Sequence, residues 1–194
     1  MNYFQRIKAK LDKEGLECVI SYFLKKVGYK TKYSSLAEKK KVLLSKEVYK
    51  VTKGKTVFGL YAGTRLKYYP NCSNKLTGQF EQQVQETIFK ITKDYNLRFL
   101  INFGAGEGFH TIGPIRNKWF SKAIAFENDI NEKKVLLENI KINKCNNKIK
   151  VLNDANFEDV NKNFSKKELK KALFLVDIEG GEFHLFNKDN IDHF

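Results

Sequence analysis

Residues 99–113, FLINFGAGEGFHTIG, run from an apolar segment directly into three glycines at alternate positions, Gly104, Gly106 and Gly108. Glycine lets main chain take up positive φ or approach a ligand closely, so three in five positions imply a tight turn around something bulky. A dinucleotide fingerprint, G-x-G-x-x-G, requires a further glycine where Phe109 stands. A phosphate-binding P-loop requires Lys and then Ser or Thr after the last glycine, where this chain has Phe109 and His110. Both phosphate readings weaken. The turn remains a nucleotide-like site, with an ordinary strand-to-helix loop as its alternative.

The pattern downstream makes this turn part of an α/β fold. Strands are expected at 98–103, 122–127, 148–153 and 172–178, with helical patterns between them. The clearest helix covers 131–143, with a stripe of Val135, Leu136, Asn139, Ile140 and Asn143. Strands alternating with helices form a parallel sheet with right-handed crossovers, and ligands bind at the carboxyl ends of its strands. Before this core, Leu16, Val19, Ile20, Phe23, Leu24 and Val27 predict an amphipathic N-terminal helix. Three Val-, Thr-, Tyr- and Phe-rich runs between Val48 and Tyr69, punctuated by Gly54 and Gly63, predict a small antiparallel β meander. A further helix is expected from Phe80 to Lys93. The sequence therefore divides into an N-terminal segment, 1–75, and a core, 76–194.

Acidic residues stand where such a site needs them. Glu127 closes the second strand, 19 residues after Gly108, placed to accept two ribose hydroxyls together. Asp154 follows the third strand, where it can accept from an adenine amino group or simply serve a turn. After the fourth strand, DIEGGE places Asp177, Glu179 and Glu182 around Gly180 and Gly181.

LINFGAGEGFHT, AFENDINEKKVLLENIKIN and LFLVDIEGGEFHLF resemble the successive cofactor motifs of FkbM-type class I S-adenosylmethionine (SAM)-dependent methyltransferases, and TGQFEQQVQETIF resembles the helix before them. The resemblance covers residues 77–186. It implies a Rossmann-like class I methyltransferase sheet, SAM as methyl donor, and a hydroxyl acceptor on a sugar or small metabolite. Carried over, Gly104, Gly106 and Gly108 line the methionine, Glu127 binds ribose, Asp154 and Ala155 flank adenine, and Asp177 faces the methyl group, with Ala105 and Asn128 also among the cofactor-binding residues. Asn102 stands where many class I enzymes carry an acid that holds the SAM ammonium. For a base on the acceptor, the candidates are Glu179 or Asp177, with His110 as the alternative. The family sheet has seven strands and this chain ends at Phe194. A C-terminally truncated sheet is therefore expected, with 172–178 at an edge that invites self-association.

Composition bears on the acceptor and the compartment. The net charge of +14 admits an RNA methyltransferase as an alternative, but only four of the 36 basic residues are arginines, and bidentate phosphate recognition favours Arg. The third alternative is a truncated, non-catalytic module of the same fold. Cys18, Cys72 and Cys145 are odd in number and far apart, which suits neither a disulfide framework nor a zinc cluster and fits a reducing cytoplasm. No apolar run approaches the ~18 residues of a membrane span.

Overall fold

The computed structural model describes residues 32–178 and 180–186. Helix α1 (Lys32–Thr52) leads through a turn-rich segment to the short α2 (Ser73–Thr77) and then α3 (Gln82–Asp94). The core follows as β1 (Phe99–Phe103), α4 (Phe109–Arg116), β2 (Lys122–Phe126), α5 (Ile130–Ile142), β3 (Ile149–Leu152), α6 (Phe157–Asn163), α7 (Lys166–Leu169), β4 (Ala172–Val176) and α8 (Glu182–Leu185). The four strands are parallel, in the order β3-β2-β1-β4. This is an α/β, Rossmann-like sheet, and each expected strand lies within one or two residues of its observed bounds.

Strand alternation sorts the side chains to two faces. Leu100, Ala123 and Ala125 face α3, α4 and α5 through Ile88, Ile112, Ile115, Leu136 and Ile140. Ile101, Phe103, Ile124 and Phe126 face α6 and α8 through Phe157, Val160 and Leu185. Both faces are covered, which is why the strands read as near-continuous apolar runs. The chain winds outward from β1 to β2 and β3 with α4 and α5 on one face, then returns by α6 and α7 on the other to place β4 beside β1. The winding reverses between β1 and β4, so the strand ends diverge there and leave a crevice.

The segment before the core departs from expectation. The meander over Val48–Tyr69 is reduced to one antiparallel bridge, Lys55 to Arg65. Val48–Thr52 instead continues α1, whose last turn is closed by the Thr52 hydroxyl donating to Val48 O at 2.8 Å. The pairing groups of a third strand come from asparagines on α5 and at its C-cap. Asn143 Oδ1 accepts from Arg65 N at 2.9 Å while its Nδ2 donates to Arg65 O at 2.6 Å. Buried Asn139 accepts from Lys67 N at 2.7 Å. Side-chain amides carry both a donor and an acceptor, so two of them one helical turn apart can satisfy an extended backbone. Tyr61, Leu66, Cys72 and Leu76 then pack on Phe109, joining this segment to the glycine turn. The expected helix over Leu16–Val27 lies outside the described residues.

Candidate functional site

An open cleft of about 1090 Å³ lies over the carboxyl ends of the strands, at the crevice between β1 and β4. The glycine turn forms its floor. Gly104 has φ of +81°, and a Cβ there would fall 1.8 Å from the Asp177 carbonyl oxygen. That glycine lets the β1 turn pass directly beside the end of β4. Gly106 has φ of +53°, and a Cβ there would meet nothing within 4 Å. Its missing side chain leaves space inside the cleft, the arrangement a ligand lying on backbone needs. Gly108 lies apart from the cleft lining. It caps α4 at φ of +90°, a left-handed conformation that favours glycine, with Leu136 Cδ1 beside it.

Glu127, 9% exposed, binds the turn together. Its Oε2 accepts from Gly106 N at 2.6 Å and its Oε1 from Asp129 N at 2.9 Å. One carboxylate thus holds the glycine turn against the start of α5, with its remaining lone pairs available to hydroxyl donors. Asn102, on β1 and 2% exposed, donates from Nδ2 to Thr111 Oγ1 at 2.8 Å. Its Oδ1 is buried without a partner among the described residues, and the residue lines the cleft. An orphaned buried acceptor carries a desolvation cost that a bound donor would remove.

Beyond β2 and β3, the exposed Asn128 and Asp154 and the half-buried Ala155 line the same cleft. Of the three carboxylates after β4, Asp177 lines the cleft, with its N–H donating to Phe103 O at 2.9 Å. Glu182 is occupied by its own turn, accepting from Ile178 N at 3.2 Å and Gly180 N at 2.8 Å. Its own backbone N–H first, and then those of Ile178 and Gly180, hold its carboxyl below the usual range. Glu179 lies outside the described residues.

A further wall joins His110, the alternative candidate for a base, to Lys75, Phe80, Glu81, Glu107 and Glu132, for which no role was expected. Lys75 of α2 ion-pairs with Glu107, both largely buried, and its ammonium lies 4.2 Å from the centre of the Phe80 ring. Glu107 sits inside the glycine triplet, so a charged residue in that turn was a visible signal. Lys75 carried none, because its pairing spans 32 positions of chain. His110, in the first turn of α4, makes a 2.8 Å contact from Nε2 to Glu81 Oε2. Burial holds His110 below its ordinary value, against the upward pull of Glu81. Glu132 is pushed up, by burial first and then by Glu107.

Among the described residues, seven acidic side chains line the cleft against one lysine. In a chain of net charge +14 this is a local inversion of sign. The cleft favours a cation and opposes a polyphosphate.

No protein-family model matches the sequence, and no curated protein matches it. Solved structures overlap it in part. TYW2 of P. horikoshii, solved with MeSAdo, is 24% identical over 41% of this chain and 28% of its own, with a TM-score of 0.31. An O-methyltransferase from Bacillus cereus, solved with SAH, is 12% identical over 74% of this chain and 53% of its own, at 0.35. The cofactor-bound Rv0187 from MTB is 12% identical over 90% and 80%, at 0.38. The chain thus spans between about a quarter and about half the length of the first two.

Proposed function

We propose that this chain is a class I, SAM-dependent methyltransferase of FkbM type acting on a hydroxyl of a sugar-like or small-metabolite acceptor, with residues 76–194 as the SAM-binding core and 1–75 as an N-terminal segment before it. The observation that carries the reading is the acidic, glycine-floored cleft at the switch point between β1 and β4. A sulfonium cofactor is cationic at both sulfur and ammonium, so the sign of this cleft suits it, whereas a dinucleotide would bring a pyrophosphate against seven carboxylates. The same sign disfavours entry of an RNA phosphodiester, although lysines elsewhere on the surface could bind one.

The residues present fit that cofactor. The open face of Gly106 offers backbone contact, and Glu127 retains lone pairs for ribose hydroxyls. Asn102 Oδ1 would accept from the ammonium and so satisfy an orphaned acceptor, while Lys75 would meet the α-carboxylate. Asp154 and Ala155 would flank adenine, and Asp177 with Asn128 would complete the rim. Bound there, SAM supplies an electrophilic methyl group on a positively charged sulfur. The protein's contribution is alignment of the acceptor oxygen and shelter from water, since displacement at carbon depends on approach in line.

Titration calorimetry with SAM and its demethylated product tests the assignment. Binding is expected for both, and Glu127→Ala should lose about 1.5 to 3 kcal/mol, roughly 10- to 100-fold in affinity. No heat with the wild-type protein would refute the cofactor assignment. Equal affinity in the variant would remove Glu127 from the site.

A further inference from the structure

A hydroxyl acceptor must lose a proton as it is methylated, and efficient transfer uses a positioned base. His110 looks like that base in sequence, but its ring is committed elsewhere. Nε2 lies 2.8 Å from Glu81 Oε2, and Nδ1 lies 3.4 Å from the hydroxyl of Tyr61, which is fully buried. With the phenol donating to Nδ1, the ring carries its proton on Nε2 and donates it to Glu81. Burial favours these states, raising the Tyr61 phenol and keeping His110 neutral. The relay runs outward from the core and ends on a carboxylate.

Glu81 is placed to use it. Its side chain is 46% exposed and lines the cleft, and Oε1 has no partner among the described residues. It occupies the N-cap position of α3 without capping that helix, because the carboxylate turns to His110 instead. Its backbone sits in the left-handed region, at φ 46° and ψ 49°, a conformation non-glycine residues hold where surrounding structure imposes it. Val84, Ile88 and Ile91 of α3 share one groove with Leu173 and Leu175 of β4, and Val84 also lines the cleft. The start of α3 therefore lies toward the carboxyl end of β4, at the sheet edge away from β2 and β3, which Glu127 and Asp154 follow.

We propose that Glu81 is the catalytic base for the acceptor and that His110, backed by Tyr61, is the positioning residue that aims it; this rests on the methyl-transfer reading above. As a lone pair of the acceptor oxygen forms the bond to the methyl carbon of the sulfonium donor, Glu81 Oε1 takes the hydroxyl proton. The electron pair of the breaking carbon–sulfur bond stays on sulfur, which leaves as a neutral thioether. Glu81 then returns the proton to water. The acceptor class is an un-ionised hydroxyl, since an anionic acceptor would need no base and would meet an acidic cleft.

Two probes separate the proton step from the rest: methyl α-D-glucopyranoside, whose hydroxyls must lose a proton, and 4-nitrophenolate, which has none to lose. Wild type should transfer labelled methyl from SAM to the glucoside and, more slowly, to the anion, which the carboxylates of the cleft oppose. Glu81→Gln should lose at least about 100-fold with the glucoside, while transfer to 4-nitrophenolate, which then meets one carboxylate fewer, should not fall. His110→Phe should lower kcat for the glucoside without raising KM. Independently of turnover, the ¹⁵N titration of His110 should move to lower pH in Glu81→Gln, because the carboxylate that favours imidazolium is gone. Undiminished glucoside methylation by Glu81→Gln, equal losses on both probes, or an unmoved His110 titration would each overturn the proposal. If wild type binds SAM yet methylates neither probe, the hydroxyl class falls and the base with it. If wild type binds no SAM, the methyl-transfer reading itself has failed.

Discussion

The first and second glycines of the turn should fail in opposite ways when replaced by alanine. At Gly104, alanine must hold φ near +81°, which costs about 1 to 2 kcal/mol for an L-residue. Its Cβ would also stand 1.8 Å from the Asp177 carbonyl oxygen, roughly 1.5 Å closer than the about 3.3 Å such atoms keep. The obstacle is backbone, and Asp177 is tied back to β1 through its own N–H on Phe103 O. Relief therefore requires parting β4 from β1, an overpacking cost of about 1 to 3 kcal/mol more. Together Gly104→Ala should lose roughly 2 to 5 kcal/mol of stability. Gly106→Ala carries the left-handed penalty alone, about 1 to 2 kcal/mol, because its Cβ projects into open cleft. Its loss should appear in SAM affinity instead. Urea unfolding of both variants, paired with calorimetric titration of SAM, separates the two. Equal destabilisation by the two substitutions, or undiminished SAM binding by Gly106→Ala, would refute the reasoning.

Two further outcomes follow from the charged groups of the cleft. Lys75→Met removes the partner of largely buried Glu107 and leaves its charge unpaired beside Glu132, so urea unfolding should show a loss of about 3 to 5 kcal/mol; a change under about 1 kcal/mol would mean that water reaches Glu107. His110 has a folded pKa below its unfolded value of about 6.5, so the unfolded chain takes up its proton first as pH falls. The stability held by the neutral ring is complete above that value and declines below it, toward the lower folded pKa. Comparing urea midpoints of wild type and His110→Phe from about pH 8 to about pH 5 should show a gap that narrows in acid, a subtraction that also cancels the opposing contribution of Glu132.

Much of the core was legible from the chain alone. Each strand is a short apolar run with punctuation at its end, and each helix between them repeats at helical spacing; such local signals survive because both sheet faces are buried. Gly104, Gly106, Glu127, Asp154 and Asp177 were legible for the same reason, as each sits immediately after a strand in a fold whose ligands bind there. Other features were settled by contacts between residues distant in sequence. The runs around Val48 to Tyr69 have the composition of strands, yet Val48–Thr52 remained helical and Arg65 and Lys67 paired with Asn143 and Asn139, more than 70 positions away. Gly108, expected to line the methionine, lies outside the residues that line the cleft, with Leu136 beside it. His110 was legible as a candidate base, but its partners were not: Tyr61 and Glu81 lie against its two nitrogens. Periodicity and strand-end chemistry reside in neighbouring residues, so sequence alone determined the sheet and the floor of the cleft. Which donor meets which acceptor depends on surfaces joined by folding, so only the tertiary structure decided the wall formed by Lys75, Phe80, Glu81 and His110.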